Sequence, residues 1–413
     1  MRVIGIVGLM VFLIGCGVPD NVTVVEPGPD AQKRAQTALI KAKPGDVIEF
    51  AEGRFDFILT LSLDVENVTI RGRGMDKTVW NFENQETGAG GEGLLVTKGG
   101  FTIENLAVED TRGDAIKVED VKGVTFRKVR VEWAGVPDST NGAYGIYPVK
   151  SDDVLIEDCI AIGASDAGIY VGQCKNAIVR NNVARKNVAG IEIENTVGAD
   201  VYGNVAEDNT GGMLVFTLPN LPRKEGRYCR VFENVVSGNN RSNFARKGTA
   251  VSGIPPGSGL VILANDEVEV FNNVFKDNDT ANLAIISSQA SGSKRKIKDK
   301  TFDPYCEAIY IHDNVFEGGG ANPSGRIGGV IHQAFGTEGP DIIYDGVIDP
   351  KKTVDGQLPK ELGIYVQNNG DATFANLDLG RALKGQQPNI STDLSPYQGS
   401  LPSLKPVSIA GVE

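Results

Sequence analysis

A phrase that returns about every 22 residues constrains this 413-residue chain more than any other feature. The phrase is a small residue followed by an apolar, a variable and an apolar residue. From the first to the sixth copy the spacings are 22, 30, 23, 22 and 22 residues, and later spacings of 47 and 70 leave room for insertions. The copies begin at Gly93, Ala115, Gly145, Gly168, Gly190, Gly212, Gly259 and Gly329, and residues 283–286 fit inside the longest gap.

A second phrase alternates with the first along the chain. It is a short apolar–polar alternation that ends in polar residues, and its copies begin at positions 68, 101, 124, 154, 177, 199, 229, 268, 309 and 364. An alternation of period two is typical of a β-strand with one buried face. From the fifth copy onward the last position is always asparagine, at Asn182, Asn204, Asn234, Asn273, Asn314 and Asn369.

Several short strands in a repeat of this length predict a parallel β-helix rather than a leucine-rich repeat or a propeller. Successive coils of such a helix stack about 4.8 Å apart, so equivalent positions form columns. The asparagine column therefore predicts a ladder in which each side-chain amide donates to the next coil. Since parallel crossovers are right-handed, we predict an all-β, right-handed parallel β-helix, a single solenoid of about 10 coils.

The two ends of the solenoid have their own signals. Residues 30–43 predict a capping helix over the first coil, with Asp30 at its N-terminus. Its apolar stripe consists of Ala31, Ala35, Ala38, Leu39 and Ala42. We assign residues 30–379 to the β-helix with its cap, and residues 380–413 to a proline-containing tail that runs along the outside.

The N-terminus predicts export from the cytoplasm. Arg2 precedes an apolar run at positions 3–14, which suits a signal peptide and is too short to span a bilayer. Residues 13–16 resemble the bacterial lipobox, which implies removal of residues 1–15 and a lipid on Cys16, followed by a tether over residues 16–29. An ordinary signal peptide with a chance cysteine is the alternative. The expected location is the cell envelope, at the outer membrane if the source has one.

Charge and composition restrict the classes of partner and cofactor that we expect. The chain has a net charge of −12, which disfavours nucleic acid because binding phosphates requires a basic surface. Only two histidines are present and no two cysteines are separated by two residues, so we expect neither a zinc site nor a covalently attached haem. Apart from Ca²⁺, discussed below, no cofactor is expected.

Three stretches, residues 141–153, 166–195 and 209–216, resemble a bacterial family of signal-bearing parallel β-helix proteins. The resemblance covers nearly the whole mature chain and implies no defined activity. It implies lipoproteins or secreted proteins encoded beside, or fused to, a di-haem c-type cytochrome-like protein, which is then an expected partner. More distantly, the fold resembles that of pectate lyases, alginate lyases and mannuronan C5-epimerases.

The variable positions of the first phrase predict a ligand-binding face, because they point outward on adjacent coils. Tyrosines and carboxylates on such a face suit an acidic or neutral polysaccharide. Tyr147, Lys150 and Tyr170 are candidates to remove a proton beside a uronate carboxylate, and Glu119, Glu192 and Glu194 offer oxygen ligands for Ca²⁺. A solvated face with cross-strand pairs is the alternative. The candidate ligand-binding residues are Lys117, Glu119, Tyr147, Tyr170, Glu192 and Glu194.

One departure argues against transferring the epimerase mechanism. The epimerases carry an Asp-Pro-His-type motif in a related phrase, and this chain has Tyr147 and Val149 at the Asp and His positions. The leading hypothesis is therefore a membrane-anchored scaffold that binds a carbohydrate or a partner protein. A uronate-specific polysaccharide lyase or C5-epimerase is the alternative, and a purely structural envelope protein is a third.

Overall fold

The computed structural model describes residues 21–86, 88, 90–292 and 296–412. Its first coils contain a leading strand, a helix and the strands of the N-terminal repeats. These are β1 (Val22–Val25), α1 (Ala31–Lys41), β2 (Val47–Phe50), β3 (Gly53–Asp56), β4 (Leu61–Leu63), β5 (Thr69–Arg71), β6 (Thr78–Asn81), β7 (Leu94–Val96), β8 (Phe101–Glu109), β9 (Ile116–Glu119), β10 (Lys122–Glu132) and β11 (Tyr144–Val149).

The central coils repeat three strands with short turns between them. They contain β12 (Asp152–Glu157), β13 (Ile160–Ile162), β14 (Ala167–Gly172), β15 (Lys175–Arg180), β16 (Val183–Arg185), β17 (Ala189–Glu194), β18 (Val197–Tyr202), β19 (Val205–Glu207), β20 (Gly211–Phe216), β21 (Arg227–Phe232), β22 (Val235–Ser237), β23 (Ser258–Leu263), β24 (Asp266–Phe271), β25 (Val274–Lys276) and β26 (Ala281–Ile286).

The last coils are interrupted by helices. They contain β27 (Ile309–His312), β28 (Val315–Glu317), α2 (Gly325–Phe335), β29 (Ile342–Tyr344), β30 (Ile364–Gln367), β31 (Phe374–Asn376) and α3 (Leu379–Ala382). Short 3₁₀ turns lie at Val251–Gly253, Lys360–Leu362 and Ser395–Tyr397.

The strands form three parallel faces around one core. Sheet I runs through β1, β2, β5, β8, β10, β12, β15, β18, β21, β24, β27 and β30, and sheet II through β3, β6, β8, β10, β13, β16, β19, β22, β25 and β28. The two sheets merge where β8 and β10 bend through both. Sheet III contains β4, β7, β9, β11, β14, β17, β20, β23, β26, β29 and β31. The described chain thus forms ten three-faced coils and a partial eleventh, which confirms the predicted parallel β-helix.

The N-terminal cap is confirmed as well. Helix α1 buries Ala31, Ala35 and Leu39 against the first coils, as the apolar stripe predicted. Asp30 occupies the N-cap position, but its side chain makes no capping hydrogen bond. Beneath the helix the first coils are filled by aromatic side chains, where Phe50 and Trp80 meet edge to face at 4.6 Å.

One copy of the first phrase was assigned wrongly. Residues 329–332 belong to helix α2, and the sheet III strand of that coil is β29. The segment also has apolar residues at Ile327, Val330 and Ile331, a helical spacing that outweighs the short strand-like match.

The predicted asparagine ladder is present. Asn182 Nδ2 donates to Asn204 Oδ1 at 2.9 Å, and Asn204 Nδ2 donates to Asn234 Oδ1 at 2.9 Å. The same bond recurs through Asn273 and Asn314 to Asn369. Each donor also bonds a backbone carbonyl, as Asn204 does with Val179 O at 2.9 Å. The ladder thus satisfies buried amides by translation along the solenoid.

A second ladder lies five residues further along each coil and was missed. Asn187, Asn209, Asn239 and Asn278 are fully buried and linked in the same manner, with amide contacts of 2.9–3.0 Å. Asn278 then donates to Asn282. The signal in the sequence was an asparagine five positions after a ladder asparagine, repeated four times.

The C-terminal segment runs back along the outside of sheet I. Leu404 N donates to Glu269 Oε2 at 2.9 Å, and Val407 N donates to Asp200 Oδ2 at 3.0 Å. Two residues further along the chain, Ile409 packs on Leu155 and Ile178. The segment therefore crosses the outer face of sheet I from β24 to β12.

The predicted signal peptide and lipidated Cys16 lie outside the described residues. Across the part of the chain that is described, no helix has both the length and the apolar character needed to cross a bilayer.

Breaking the ladder should destabilise the protein strongly. Asn204→Ala leaves the amide of Asn182 and the carbonyl of Val179 without their buried partner. We expect a loss of about 3 kcal/mol in the free energy of unfolding, measured by denaturant unfolding. Asn322→Ala, at an exposed asparagine, is the matched control and should change stability little. Equal losses in both variants would contradict the assigned role of the ladder.

Candidate functional site

Three tyrosines form a cluster on the outer face of sheet III. Tyr144 and Tyr147 lie on β11, and Tyr170 lies on β14 in the next coil. The ring centroids of Tyr144 and Tyr147 are 4.5 Å apart and nearly stacked, and Tyr170 lies 4.7 Å and 4.9 Å from them. We call these residues the tyrosine cluster.

Gly172 determines how Tyr170 lies on the sheet. A Cβ at Gly172 would overlap the Tyr170 ring, so glycine is required for the ring to lie flat along its own strand. This orientation brings the phenol to Glu194 of β17, with which Tyr170 Oη forms a hydrogen bond. The ring is thereby fixed at both its face and its hydroxyl.

Buried carboxyl groups lie beside the cluster. Glu192 is 1% exposed, and its Oε1 atom has no hydrogen-bond partner among the described residues. Burial, followed by the like charges of Asp166 and Glu194, raises the pKa of Glu192 well above its usual range. Burial therefore favours the neutral form of Glu192 in the folded protein.

The exposed edge of the site carries charged groups. Glu119 contacts both Lys117, at 3.0 Å, and Lys150, at 2.8 Å, and these partners lower the pKa of Glu119. The Lys117 ammonium also lies 5.7 Å from the centroid of the Tyr147 ring. Asp114 accepts from Tyr144 N at 3.3 Å, and burial raises its pKa to about 6.

A loop covers the other part of the face. Residues 238–257, which we call the cover loop, separate β22 from β23. Its Phe244 and Val251 pack in one apolar cluster with Tyr170, Leu214 and Phe216. At its far end, Arg246 donates to Ser139 O at 2.9 Å and to Asn141 O at 3.2 Å, which ties the loop to the insertion before β11.

The structure thus corrects the expectation of an open face. Tyr170, Glu192 and Glu194 are 4%, 1% and 7% exposed, because the apolar residues of the cover loop lie over their strands. Lys117, Glu119 and Tyr147 keep part of their surface exposed, as does Lys150. Glu119 forms ion pairs with Lys117 and Lys150. The Ca²⁺ site expected at Glu119, Glu192 and Glu194 stays a prediction.

Three members of the site were missed from the sequence. Tyr144 lies three residues before Tyr147, Asp114 lies one coil below Tyr144, and Asp166 lies beside the cluster. The column shared by Asp114 and Tyr144 could have been found, because both precede the first phrase by the same offset. Asp166 is buried, but it shares no repeated offset with Asp114 and Tyr144 and could not be found in this way.

Residues 65–222 and 141–302 match the family described as "Right handed beta helix region". The chain belongs to this family. The match confirms the predicted handedness. A search of curated protein sequences found no match.

Among solved structures, the chain is similar to two Azotobacter vinelandii modules. Against the mannuronan C-5 epimerase AlgE4 A-module the TM-score is 0.52 at 17% identity, covering 78% of this chain and 88% of the module. Against the AlgE6 A-module it is 0.51 at 14% identity, covering 78% and 87%. At these identities the similarity establishes the fold alone.

Neutralising Glu192 should change how stability depends on pH. Because the pKa of Glu192 is raised in the folded state, the unfolded chain releases this proton first as pH rises above the unfolded-state pKa, near 4.5. The contribution of neutral Glu192 to the free energy of unfolding is therefore fully present below that pH and is lost as pH rises above it. Glu192→Gln cannot ionise and avoids this loss. The variant should match wild type near pH 4 and become progressively more stable above it, by at most about 1.4 kcal/mol per pH unit.

Thermal or denaturant unfolding between pH 4 and pH 8 measures this difference. Glu207→Gln, a half-buried glutamate on sheet II, provides the control and should follow the wild-type curve. A constant offset between Glu192→Gln and wild type across the whole range would contradict a neutral Glu192.

Proposed function

We propose that this protein is a lipid-anchored envelope scaffold that binds a carbohydrate chain at the exposed edge of the tyrosine cluster. The observation that carries the proposal is a half-buried Tyr147 stacked on Tyr144 and fixed against the buried Tyr170. An aromatic group held rigidly presents an apolar surface without an ordering cost on binding. Lys117, Glu119 and Lys150 flank it with groups able to bond sugar hydroxyls.

Binding is favoured over turnover because the candidate bases are held protonated. Burial, followed by nearby carboxylates, raises the pKa of both Tyr147 and Tyr170 above the usual phenol range. The hydrogen bond to Glu119 raises the pKa of Lys150. Since a lyase or epimerase must remove a proton next to a carboxylate, raised pKa values on all three candidates argue against that reaction here.

The local charge favours a neutral glycan. Two lysines at the exposed edge share Glu119, and Asp114 lies close enough to Lys117 for the ammonium to lower its pKa. Arg246 and Glu92 also act on Asp114, and Asp120 acts on Lys150. The described groups around Tyr147 therefore include more carboxyl groups than positive groups, and they leave no excess positive charge to hold a polyuronate. The epimerase modules named above act on mannuronan by their names, but this chain has Tyr147 and Val149 where the epimerase motif has Asp and His.

Removing Tyr147 should weaken glycan binding. We expect Tyr147→Ala to reduce affinity for a neutral oligosaccharide at least tenfold, since an aromatic contact contributes roughly 1.4 kcal/mol or more. A glycan panel with neutral and uronate oligosaccharides, followed by calorimetry, measures this affinity. Tyr228→Ala is the matched control, because Tyr228 is a 40% exposed tyrosine on sheet I.

Retention of no glycan in the panel, or equal losses in the two variants, would contradict the proposed site. Formation of unsaturated uronate or a changed epimer ratio would instead support the lyase or epimerase alternative. Tyr147→Phe and Lys150→Ala then identify whether these side chains take part.

Anchoring is tested separately at Cys16. Cys16→Ser should abolish incorporation of labelled palmitate in a bacterial host. Asn21→Ser, five residues further along, should leave the labelling unchanged. Labelling of the Cys16→Ser variant, or absence of label from the wild-type protein, would contradict lipidation at Cys16. Co-purification with a di-haem cytochrome-like protein tests the predicted partner and stays a separate prediction.

A further inference from the structure

A pocket lies away from the tyrosine cluster, at the turn between sheet III and sheet I. It has a volume of about 760 Å³ and is lined by the insertion after β20, the segment before β27 and the segment before β30. Both acidic and basic side chains line it, including Arg223, Lys224 and Arg227. None of these residues takes part in the site described above.

Three carboxylates converge in this pocket. Asp266 begins β24, and Asp303 and Glu307 belong to the segment that leads into β27. One oxygen from each lies within 4.8 Å of the others. The backbone contributes to this arrangement, because Glu307 N donates to Asp266 Oδ1 at 3.0 Å and fixes the two strand ends together.

Lys352 supplies one positive charge to this group. Its ammonium contacts Asp303 Oδ2 at 2.7 Å and also contacts Glu307 Oε2. One ammonium does not balance three carboxylates. Glu307 is 3% exposed, and its second oxygen, Oε1, is buried without a hydrogen-bond partner among the described residues.

We propose that Asp266, Asp303 and Glu307 form a Ca²⁺ site. The set contains only oxygen ligands, which hard divalent cations prefer, and the buried Oε1 of Glu307 is an acceptor without a donor. Thr217 and Thr301 line the same pocket. A roomy pocket with irregular ligands suits Ca²⁺ better than Mg²⁺, which requires near-octahedral geometry.

In this arrangement Lys352 and the cation compete for the same carboxylates. The ammonium already contacts two of the three ligands, so Ca²⁺ binding requires that it swing away. A bound ion would join Asp303, in the segment that leads into β27, to Asp266 at the start of β24, and would therefore fix that segment to the solenoid.

Calorimetric titration of the full-length protein with Ca²⁺ tests the proposal. Lys352→Met removes the competing ammonium and should tighten Ca²⁺ binding about tenfold, the factor that corresponds to about 1.4 kcal/mol. Asp266→Asn removes a ligand charge but keeps the oxygen that accepts from Glu307 N, and should weaken binding at least about tenfold by the same conversion.

Lys224→Met is the matched control. It removes a lysine from the same pocket, but Lys224 pairs with Asp299 rather than with the three carboxylates. Its Ca²⁺ affinity should remain that of wild type, and circular dichroism verifies the fold of each variant. Absence of Ca²⁺ binding by wild type, or binding that Asp266→Asn leaves unchanged, would overturn the proposal.

Discussion

Parallel stacking of coils is the constraint on which the rest of this structure depends. Each strand pairs with its equivalents in the coils before and after it, so a residue's neighbours are set by the repeat and not by local sequence. Two asparagine ladders extend the same translation to side chains at buried turns, where the backbone alone would leave polar groups unsatisfied. Once the columns are established, the turns are free to carry insertions.

The candidate site is formed by the columns of the repeat together with the insertions between strands. The column through Lys117, Tyr147 and Tyr170 brings together residues that are 30 and 23 positions apart. The cover loop then divides this column into a half-exposed part at Tyr147 and a buried part at Tyr170 and Glu192. Rigid strands thus supply the position of each side chain, and one insertion determines which of them remain exposed.

The sequence predicted what the repeat controls. The strands, the first asparagine ladder and the outward columns followed from period and alternation, and the amphipathic stripe of α1 followed from its helical spacing. The second ladder could have been predicted in the same way, as Asn187 and Asn209 show. The cover loop over Glu192 and the approach of Lys352 to Asp303 could not be predicted, because insertions fold against the solenoid by tertiary contacts that no repeat period encodes. Residues 329–332 were misassigned for a related reason, since a four-residue match cannot distinguish a strand from one helical turn.

The central claim is that a half-exposed, prearranged tyrosine on the outer face of sheet III binds a saccharide. A crystal structure of the protein with a neutral oligosaccharide tests it most directly. We expect a sugar unit in contact with the Tyr147 ring, with its hydroxyls bonded to Lys117, Glu119 or Lys150, and with the cover loop still packed over Tyr170. A saccharide that binds in solution but occupies another face of the solenoid in the crystal would contradict it.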